Sequence, residues 1–328
     1  MILLQNQKYK DWIKSSDGKG WLTFFTPSYN RAKFLPRLFD CLKAQTNRNF
    51  VWILVCDGSS DNTDEIAKEL LAQEVFPMMF ISKENGGKHS AFKVALENTK
   101  TEFFICMDDD DIYSPESANT YLEEWARIKE EGKTDEIGAI RTVAQRSDGC
   151  FASNITVNVG DRCDVSTLDR TYIQHVYQEN WSCYRTEALK SVDLFPAHYW
   201  LKEQHKFFLE GIWQGRFARK YKSRYYHVGL RKYTDDAEVS LMRSAKSRNH
   251  YLNMFINEKM ILDEQLDYIR KSPKQLIQDV MLVGILRSKL KISFRELQKN
   301  TSSKLLRMLF LVTAPLCIFS PRPKFVEQ

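Results

Sequence analysis

The sequence predicts an α/β fold with a mostly parallel sheet flanked by helices, and three observations carry that prediction. Short apolar runs of strand length recur at residues 21–25, 51–56, 78–81 and 103–107. They are apolar without alternation, the pattern of strands buried on both faces. Each empties into a polar loop that is followed by apolar residues at helical spacing, so the chain reads βαβαβαβ. Right-handed crossovers between such strands bring every loop that follows a strand to the same edge of the sheet.

Taken in order, residues 1–20 read as a short amphipathic lead-in. The first strand runs into Thr26-Pro27-Ser28-Tyr29-Asn30-Arg31, and Phe34, Leu35, Leu38, Cys41 and Leu42 then mark a helix. The second runs into Asp57-Gly58-Ser59-Ser60-Asp61-Asn62-Thr63. There Asn62 or Thr63 caps a helix striped by Ile66, Leu70 and Leu71. The third is followed by Glu84-Asn85-Gly86-Gly87-Lys88-His89 and a helix ending near Thr99. The fourth ends in four consecutive aspartates, residues 108–111, and Ser114-Pro115-Glu116 then reads as an N-cap, a proline at the first helical position and an acid in the first turn.

Adjacent carboxylates raise one another's pKa unless a cation is present, and a hard divalent ion such as Mg²⁺ or Mn²⁺ relieves the repulsion. The Gly86-Gly87 pair lets backbone N–H groups approach an anion, and Lys88 adds a point charge. Acids and a phosphate cradle on one sheet edge suggest a nucleoside diphosphate bridged by a metal, at the place where open α/β sheets bind ligands. The chain has no G-x-G-x-x-G and no G-x-x-x-x-G-K-[ST], so neither a dinucleotide fold nor a P-loop is supported.

The composition, 43% hydrophobic and 27% charged over 328 residues, is that of an ordinary globular chain. The seven cysteines are odd in number, scattered and never in a C-x-x-C pair, which predicts a reducing cytosol and excludes a zinc site or disulfide framework. The net charge of +6 is uneven: residues 241–328 hold sixteen Lys and Arg against seven Asp and Glu. No stacking-aromatic or zinc-finger pattern accompanies them, so nucleic acid is not expected and an anionic membrane surface fits at least as well. Ile2-Leu3-Leu4 is too short for the apolar region of a signal peptide, and none is expected.

The four loop motifs together, in this order and at this spacing over residues 21–124, resemble the nucleotide-sugar half of glycosyltransferase family 2. A looser similarity to about residue 241 resembles the family's acceptor-binding half. The resemblance implies a GT-A-type, Rossmann-like fold, a nucleoside-diphosphate sugar donor and inversion at the anomeric carbon. It divides the chain into a lead-in (1–20), a catalytic domain (21–240, with a nucleotide-sugar half 21–125 and an acceptor half 126–240) and a basic helical region (241–328). Carried over position by position, it makes Asp57 the partner of the base, with uracil expected. Thr26, Pro27, Tyr29 and Arg31 fall on the nucleotide pocket, Gly87 and Lys88 on the diphosphate, Asp108 on the ribose, Asp109 beside the nucleotide and Asp110 on the metal. Two positions depart from the pattern: Cys56 stands where many relatives have an Asp, and Lys93 where an Asn is common.

In the second half, residues 136–143 and 151–159 have partly alternating patterns that suit strands of a smaller mixed sheet. The resemblance brings Asn180-Trp181-Ser182-Cys183 to the acceptor, with Trp181 as a sugar-stacking platform. Transfer needs a carboxylate base for the acceptor hydroxyl and a metal to neutralise the leaving diphosphate. Alignment backward from Arg219-Lys220-Tyr221-Lys222 puts Glu210 at the base position, ahead of a helix through Trp213, Phe217, Ala218 and Tyr221. Glu203 is the reserve and His205 a third choice. Tyr225-Tyr226-His227-Val228 reads as a strand that brings His227 toward the metal or diphosphate, and Arg231 and Tyr233 resemble a segment that closes over the donor. The chain beyond 241 reads as helical, ending in twelve uncharged residues, 308–319, too few to span a bilayer. They either lie in a membrane interface, with Lys299, Lys304 and Arg307 toward anionic lipid, or cap the catalytic domain.

The expected activity is transfer of a sugar from a UDP-sugar to a hydroxyl of a surface polysaccharide or lipid-linked oligosaccharide. Mg²⁺ or Mn²⁺ is expected to assist, and the expected location is cytoplasmic, with a peripheral site on the inner face of the cell membrane as the open alternative. A nucleotidylyltransferase would carry a Gly-rich loop after the first strand, and residues 26–31 contain no glycine. A catalytically silent relative scaffolding a membrane assembly would tolerate loss of Asp110 or Glu210, and both acids are present.

Overall fold

A computed structural model describes residues 1–156, 158–194, 210–234 and 248–318. The lead-in is already part of the sheet: β1 (Ile2–Gln5) pairs antiparallel with a later strand, and α1 (Gln7–Ser15) follows at once. Asn6 makes the join, its side chain accepting the Tyr9 N–H as an N-cap and donating to the Phe76 carbonyl. The rhythm read from the sequence then follows. It runs β2 (Leu22–Ser28), a 3₁₀ turn (Ala32–Phe34), α2 (Leu35–Lys43), β3 (Phe50–Asp57), α3 (Thr63–Ala72), β4 (Met78–Lys83), α4 (Lys88–Asn98) and β5 (Phe103–Cys106). Every residue of β3 is buried, as its unbroken apolar run requires.

The remainder of the sheet portion comprises β6 (Ile112–Tyr113), α5 (Ser117–Glu130), β7 (Ile137–Val143) and β8 (Arg162–Val165). After the short α6 (Thr167–Tyr172) come β9 (Asn180–Arg185), α7 (Thr186–Lys190), α8 (Gly211–Lys220), β10 (Lys222–Tyr226) and β11 (Arg231–Lys232). Four helices follow: α9 (Arg248–Ile269), α10 (Pro273–Lys289), the short α11 (Phe294–Lys299) and α12 (Lys304–Ile318).

Nine strands form one sheet in the order β1-β4-β3-β2-β5-β9-β7-β10-β8. The stretch β4-β3-β2-β5 is parallel, while β9 runs antiparallel between β5 and β7. The smaller mixed sheet expected for the second half is therefore a continuation of the first. Residues 151–159 contribute no strand among the described residues, only isolated bridges from Phe151 to Gln145 and Ser153 to Gln178; the strand falls later, at β8. The helix expected to start at Pro115 begins two residues on, because Ser114 first closes a turn by accepting the Ser117 N–H on its carbonyl. A two-stranded ribbon, β6 with β11, stands apart from the large sheet.

The described residues fall into two compact units. One holds those of Met1–Ser166, Val176–Val192 and Lys220–Ala237, the other those of Thr167–His175, Asp193–Arg219 and Glu238–Gln328. Residues 167–175, 193–194 and 210–219, expected in the acceptor half, thus cluster with the C-terminal helices. In the sheet unit a core centred on Trp52, Phe24, Phe50 and Trp181 packs under α2, α3 and α5. The helical unit has its own core, with Phe255, Ile256, Val280, Val283, Leu286 and Phe310. Gly284 lets α12 approach α10: a Cβ there would lie 2.5 Å from Cys317 Sγ.

The helical unit also buries charge. Lys259 on α9 is fully buried, with its ammonium on Asp263 and on the Asn300 carbonyl. The preceding residue, Glu258, shares a hydrogen bond with Asp279 of α10, which also accepts from Gln275 Nε2 at 2.6 Å. Burial, with Asp279 beside it, pushes Glu258 up to about 8, and burial raises Asp279 as well. The folded chain therefore keeps a proton that the unfolded chain, with a glutamate pKa near ~4.3, has lost. Its stabilising contribution is complete below that value and disappears as pH rises to about 8. Thermal melts should show stability falling across this window, and Glu258→Gln should flatten the fall and raise Tm at pH 8 by about 3 °C or more. A variant melting below wild type at pH 8 would contradict the shared proton.

Candidate active site

The parallel strands spread in opposite directions from β2: β3 and β4 lie on one side and β5 on the other. Such a reversal opens a crevice at the carboxyl ends of the strands. Here its limits are set by register. β5 pairs with Leu22, Thr23, Phe24 and Phe25, and β2 continues to Ser28 against β3 alone. Pro27, which has no N–H, sits beyond the last β5 pair, where β5 asks for no donor.

The acid loop enters this crevice with its four side chains sorted by direction. The Asp108 and Asp110 side chains are 27% and 26% exposed, those of Asp109 and Asp111 only 7% and 5%. Asp109 accepts from Ser28 Oγ at 2.8 Å, and burial pushes its carboxyl up to about 7, against the pull of Ser28 and Arg31. Asp111 accepts from Arg231 Nε at 2.6 Å; burial still outweighs the guanidinium, and it lies at about 6. Asp108 is different. Burial works against its charge, but Lys88 Nζ at 2.7 Å and Arg231 Nη2 at 3.0 Å, with Arg31 beyond, hold it well below the usual carboxylate range. Asp110 takes Arg31 Nη1 at 2.9 Å, and its carbonyl accepts from Arg37 at 2.6 Å and from Thr234 at 2.6 Å.

Arg231 reaches the acids because the ribbon pairs it with Tyr113, two residues past Asp111. The Tyr113 hydroxyl in turn donates to the Asp108 carbonyl at 3.0 Å. Facing carboxylates from two directions, Arg231 is held charged well above the ordinary arginine range, even though burial opposes it.

Asp57, at the end of β3, is nearly fully buried and anchors the neighbouring loop. Its carboxylate accepts from Lys83 Nζ at 2.6 Å, from the Gly86 N–H at 3.0 Å and from the Gly87 N–H at 2.7 Å. The Gly86 and Gly87 amides, expected to face an anion, are thus given to Asp57. Gly58 (φ 72°) makes the close approach: a Cβ on it would lie 2.6 Å from the Asn85 nitrogen. Lys88, the first residue of α4, is left aimed at Asp108.

Other expected positions divide. Tyr29 and Arg31 are on the crevice loop, Tyr29 half-exposed. Thr26 is buried in β2, its hydroxyl accepting from the Trp52 indole at 3.0 Å, so it packs the strand and lines no pocket. Trp181 requires the same correction. It is buried, stacked on Phe24 and flanked by Tyr113 and Tyr121, and its indole N–H donates to the Cys106 carbonyl. No ring face is left for a sugar. His227 is buried just after β10, with its backbone paired to residues 160 and 161. Among the described residues no group of three or more His, Cys, Asp or Glu is gathered to hold a metal, so His227 joins no such cluster with the acids. Glu210, in the helical unit, is exposed directly before α8, where Gln214 donates to its carboxylate at 3.1 Å. Glu203 and His205 lie outside the described residues.

Ser28, Lys83 and Arg37 were not singled out in the sequence. Ser28 could have been, since it stands in the same loop motif as Arg31; Lys83 and Arg37 carry no local signal.

The family model described as glycosyl transferase family 2 matches residues 23–181. An uncharacterized glycosyltransferase of Rickettsia typhi is 35% identical over 94 residues, 29% of this chain and 28% of that protein. Glycosyltransferase GlyA of Streptococcus pneumoniae is 27% identical over 176 residues, 54% of this chain and 23% of that one. The chain therefore spans less than a third of the length of the curated relatives it matches. Among solved structures, S. aureus TarS residues 1–349 in complex with UDP-GlcNAc is similar in fold, with a TM-score of 0.59 at 16% identity over 90% of this chain and 88% of that one. With the strand-end loops in the family's order and the match running from β2 into β9, residues 23–181 form a glycosyltransferase family 2 domain.

Proposed function

We propose that this chain is an inverting glycosyltransferase that moves a sugar from a UDP-sugar to a hydroxyl of a surface polysaccharide or a lipid-linked oligosaccharide. One observation carries the reading: Arg31, Lys88 and Arg231, from three separate segments, converge on the outward carboxylates Asp108 and Asp110 at the crevice. A diphosphate needs such cations, and an exchange of carboxylate for phosphate at Lys88 and Arg231 would retain most of the charge balance. The choice of uridine is supported by the family resemblance and by the fold shared with TarS, whose solved complexes contain UDP-GlcNAc and UDP.

The donor set fits a hard cation. Asp110 offers carboxylate oxygen in a partly open position, and Mg²⁺ or Mn²⁺ typically takes one or two carboxylates and fills the rest of its sphere with phosphate and water. When bound, the ion supplies neutralisation of the charge that grows on the leaving diphosphate. The chain's own residues do the rest. Asp108, held ionised, faces the ribose; Lys88 and Arg231 steady the diphosphate; Asp109 and Asp111 fix the loop from below through Ser28 and Arg231. Glu210 serves as the base that takes the acceptor's proton as the hydroxyl attacks, giving inversion in one displacement.

Calorimetric titration with UDP, with and without Mn²⁺, tests the donor site. Wild type should bind in a metal-dependent way and Asp110→Asn at least about tenfold more weakly, removing one charged ligand. Absence of UDP binding under every metal condition would sink the uridine assignment.

Glu210→Gln should leave UDP affinity unchanged and slow UDP-sugar turnover by about 10²–10⁴. An unchanged rate would move the base to Glu203, to be checked by the same substitution.

Arg231→Gln should weaken UDP binding and, by leaving buried Asp111 without its partner, cost about 3 kcal/mol in urea unfolding. Wild-type stability in that variant would remove the anchoring role.

A further inference from the structure

α12 packs one face into the helical core and leaves the other in water. Leu306, Phe310 and Cys317 are buried against α10, whereas Met308, Leu311, Val312 and Leu316 are 55%, 63%, 67% and 60% exposed. With Leu305 and Pro315 they form a continuous apolar strip along the helix. Scattered exposed leucines are ordinary, but a contiguous strip of this length marks an interaction surface. Basic residues lie at its amino-terminal end and in the segment that leads into it. Lys291, Arg295, Lys299, Lys304 and Arg307 are all exposed, and Glu296 is the one acid between 291 and 318.

We propose that this face of α12 docks on an anionic lipid surface, lying in the plane of the interface. The helix has fifteen residues, and no helix among the described residues is long and apolar enough to cross a bilayer. An in-plane helix instead sinks its apolar face to the depth of the acyl boundary and turns its basic residues to the headgroups. Each Lys or Arg near such a surface contributes about 1 kcal/mol of attraction. Charge also decides against a second copy as the occupant. A second copy brings no acid to this face to answer its basic residues, since Glu296 is the one acid between 291 and 318. Lys304 and Arg307 stand at the amino-terminal end of α12, where the positive end of the helix dipole adds to the attraction for anionic headgroups.

The inference does not depend on the donor site, and its test is separable from UDP binding. The full chain is sedimented with vesicles of phosphatidylcholine alone and of phosphatidylcholine with phosphatidylglycerol, at low and high salt. Binding is expected to the anionic vesicles and to weaken with salt. The double variant Leu311→Glu with Val312→Glu, at positions already in water, should bind at least about tenfold more weakly while keeping the wild-type melting curve and UDP affinity. Lys304→Glu with Arg307→Glu should lose about tenfold or more on anionic vesicles alone. Failure of wild type to bind, or equal binding by the Leu311/Val312 variant, overturns the proposal. So does a wild-type dimer, seen by light scattering, that the same variant dissociates without any vesicle binding.

Discussion

Four carboxylates on consecutive residues cannot share a poorly solvated crevice unless their charge is answered, and the open edge of the sheet is arranged around that requirement. Two of them turn inward. Asp109 finds a hydroxyl and Asp111 a guanidinium, and burial raises both. The outward pair is answered from three places far apart in sequence: Arg31 after β2, Lys88 at the start of α4 and Arg231 on β11. In a medium of low effective dielectric such pairs fix geometry strongly, and leaving one partner unmatched is costly. The loops after separate strands are thereby tied to one another through the acids as well as through direct hydrogen bonds, such as those between Asn30 and the Ser59-Ser60 turn.

The same economy of contacts appears at Asp57. One carboxylate holds two successive glycine amides and Lys83, so the Gly86-Gly87 turn is rigid before any ligand arrives. That rigidity is what aims Lys88 at Asp108. A lysine on a flexible stem contributes little positional precision by itself, and the precision comes from the backbone it starts from. Asp57 acts on the crevice through that loop.

What was legible in the sequence follows from how local the determinants are. The strands β2 to β5 are short unbroken apolar runs, so their existence and parallel pairing could be read directly. The position of the four acids after β5 was legible for the same reason, whereas the sorting that leaves Asp108 and Asp110 the more exposed pair depends on distant partners. The errors came where partners lie far away in sequence. Nothing local distinguishes a tryptophan that stacks on a sugar from one wedged between Phe24, Tyr113 and Tyr121. Nothing local says that the Thr26 hydroxyl will be taken by Trp52. The strand at β1 was hidden because three apolar residues beside a chain start give no period to measure. Residues 151–159 misled through alternation in a segment that makes only isolated bridges.

The helical unit inverts the usual placement of residues, and the inversion bears on what the unit is for. It buries Lys259, Asp279 and much of Glu258, yet leaves Leu311, Val312 and Leu316 in water. Burying polar groups is tolerable here because they are paired: Lys259 with Asp263, Glu258 with Asp279. Among the described residues of the unit the exposed strip has no such compensation. Core packing explains the inner face of α12, where Gly284 admits Cys317, and leaves the outer face without a structural reason. An anionic lipid surface supplies one, since it satisfies the leucines and the basic residues together, whereas an aqueous or self-associated setting satisfies one at the expense of the other. A transferase whose acceptor is carried on lipid would gain from such docking in a specific way. Holding enzyme and acceptor at one surface raises their effective concentration without any added affinity at the crevice.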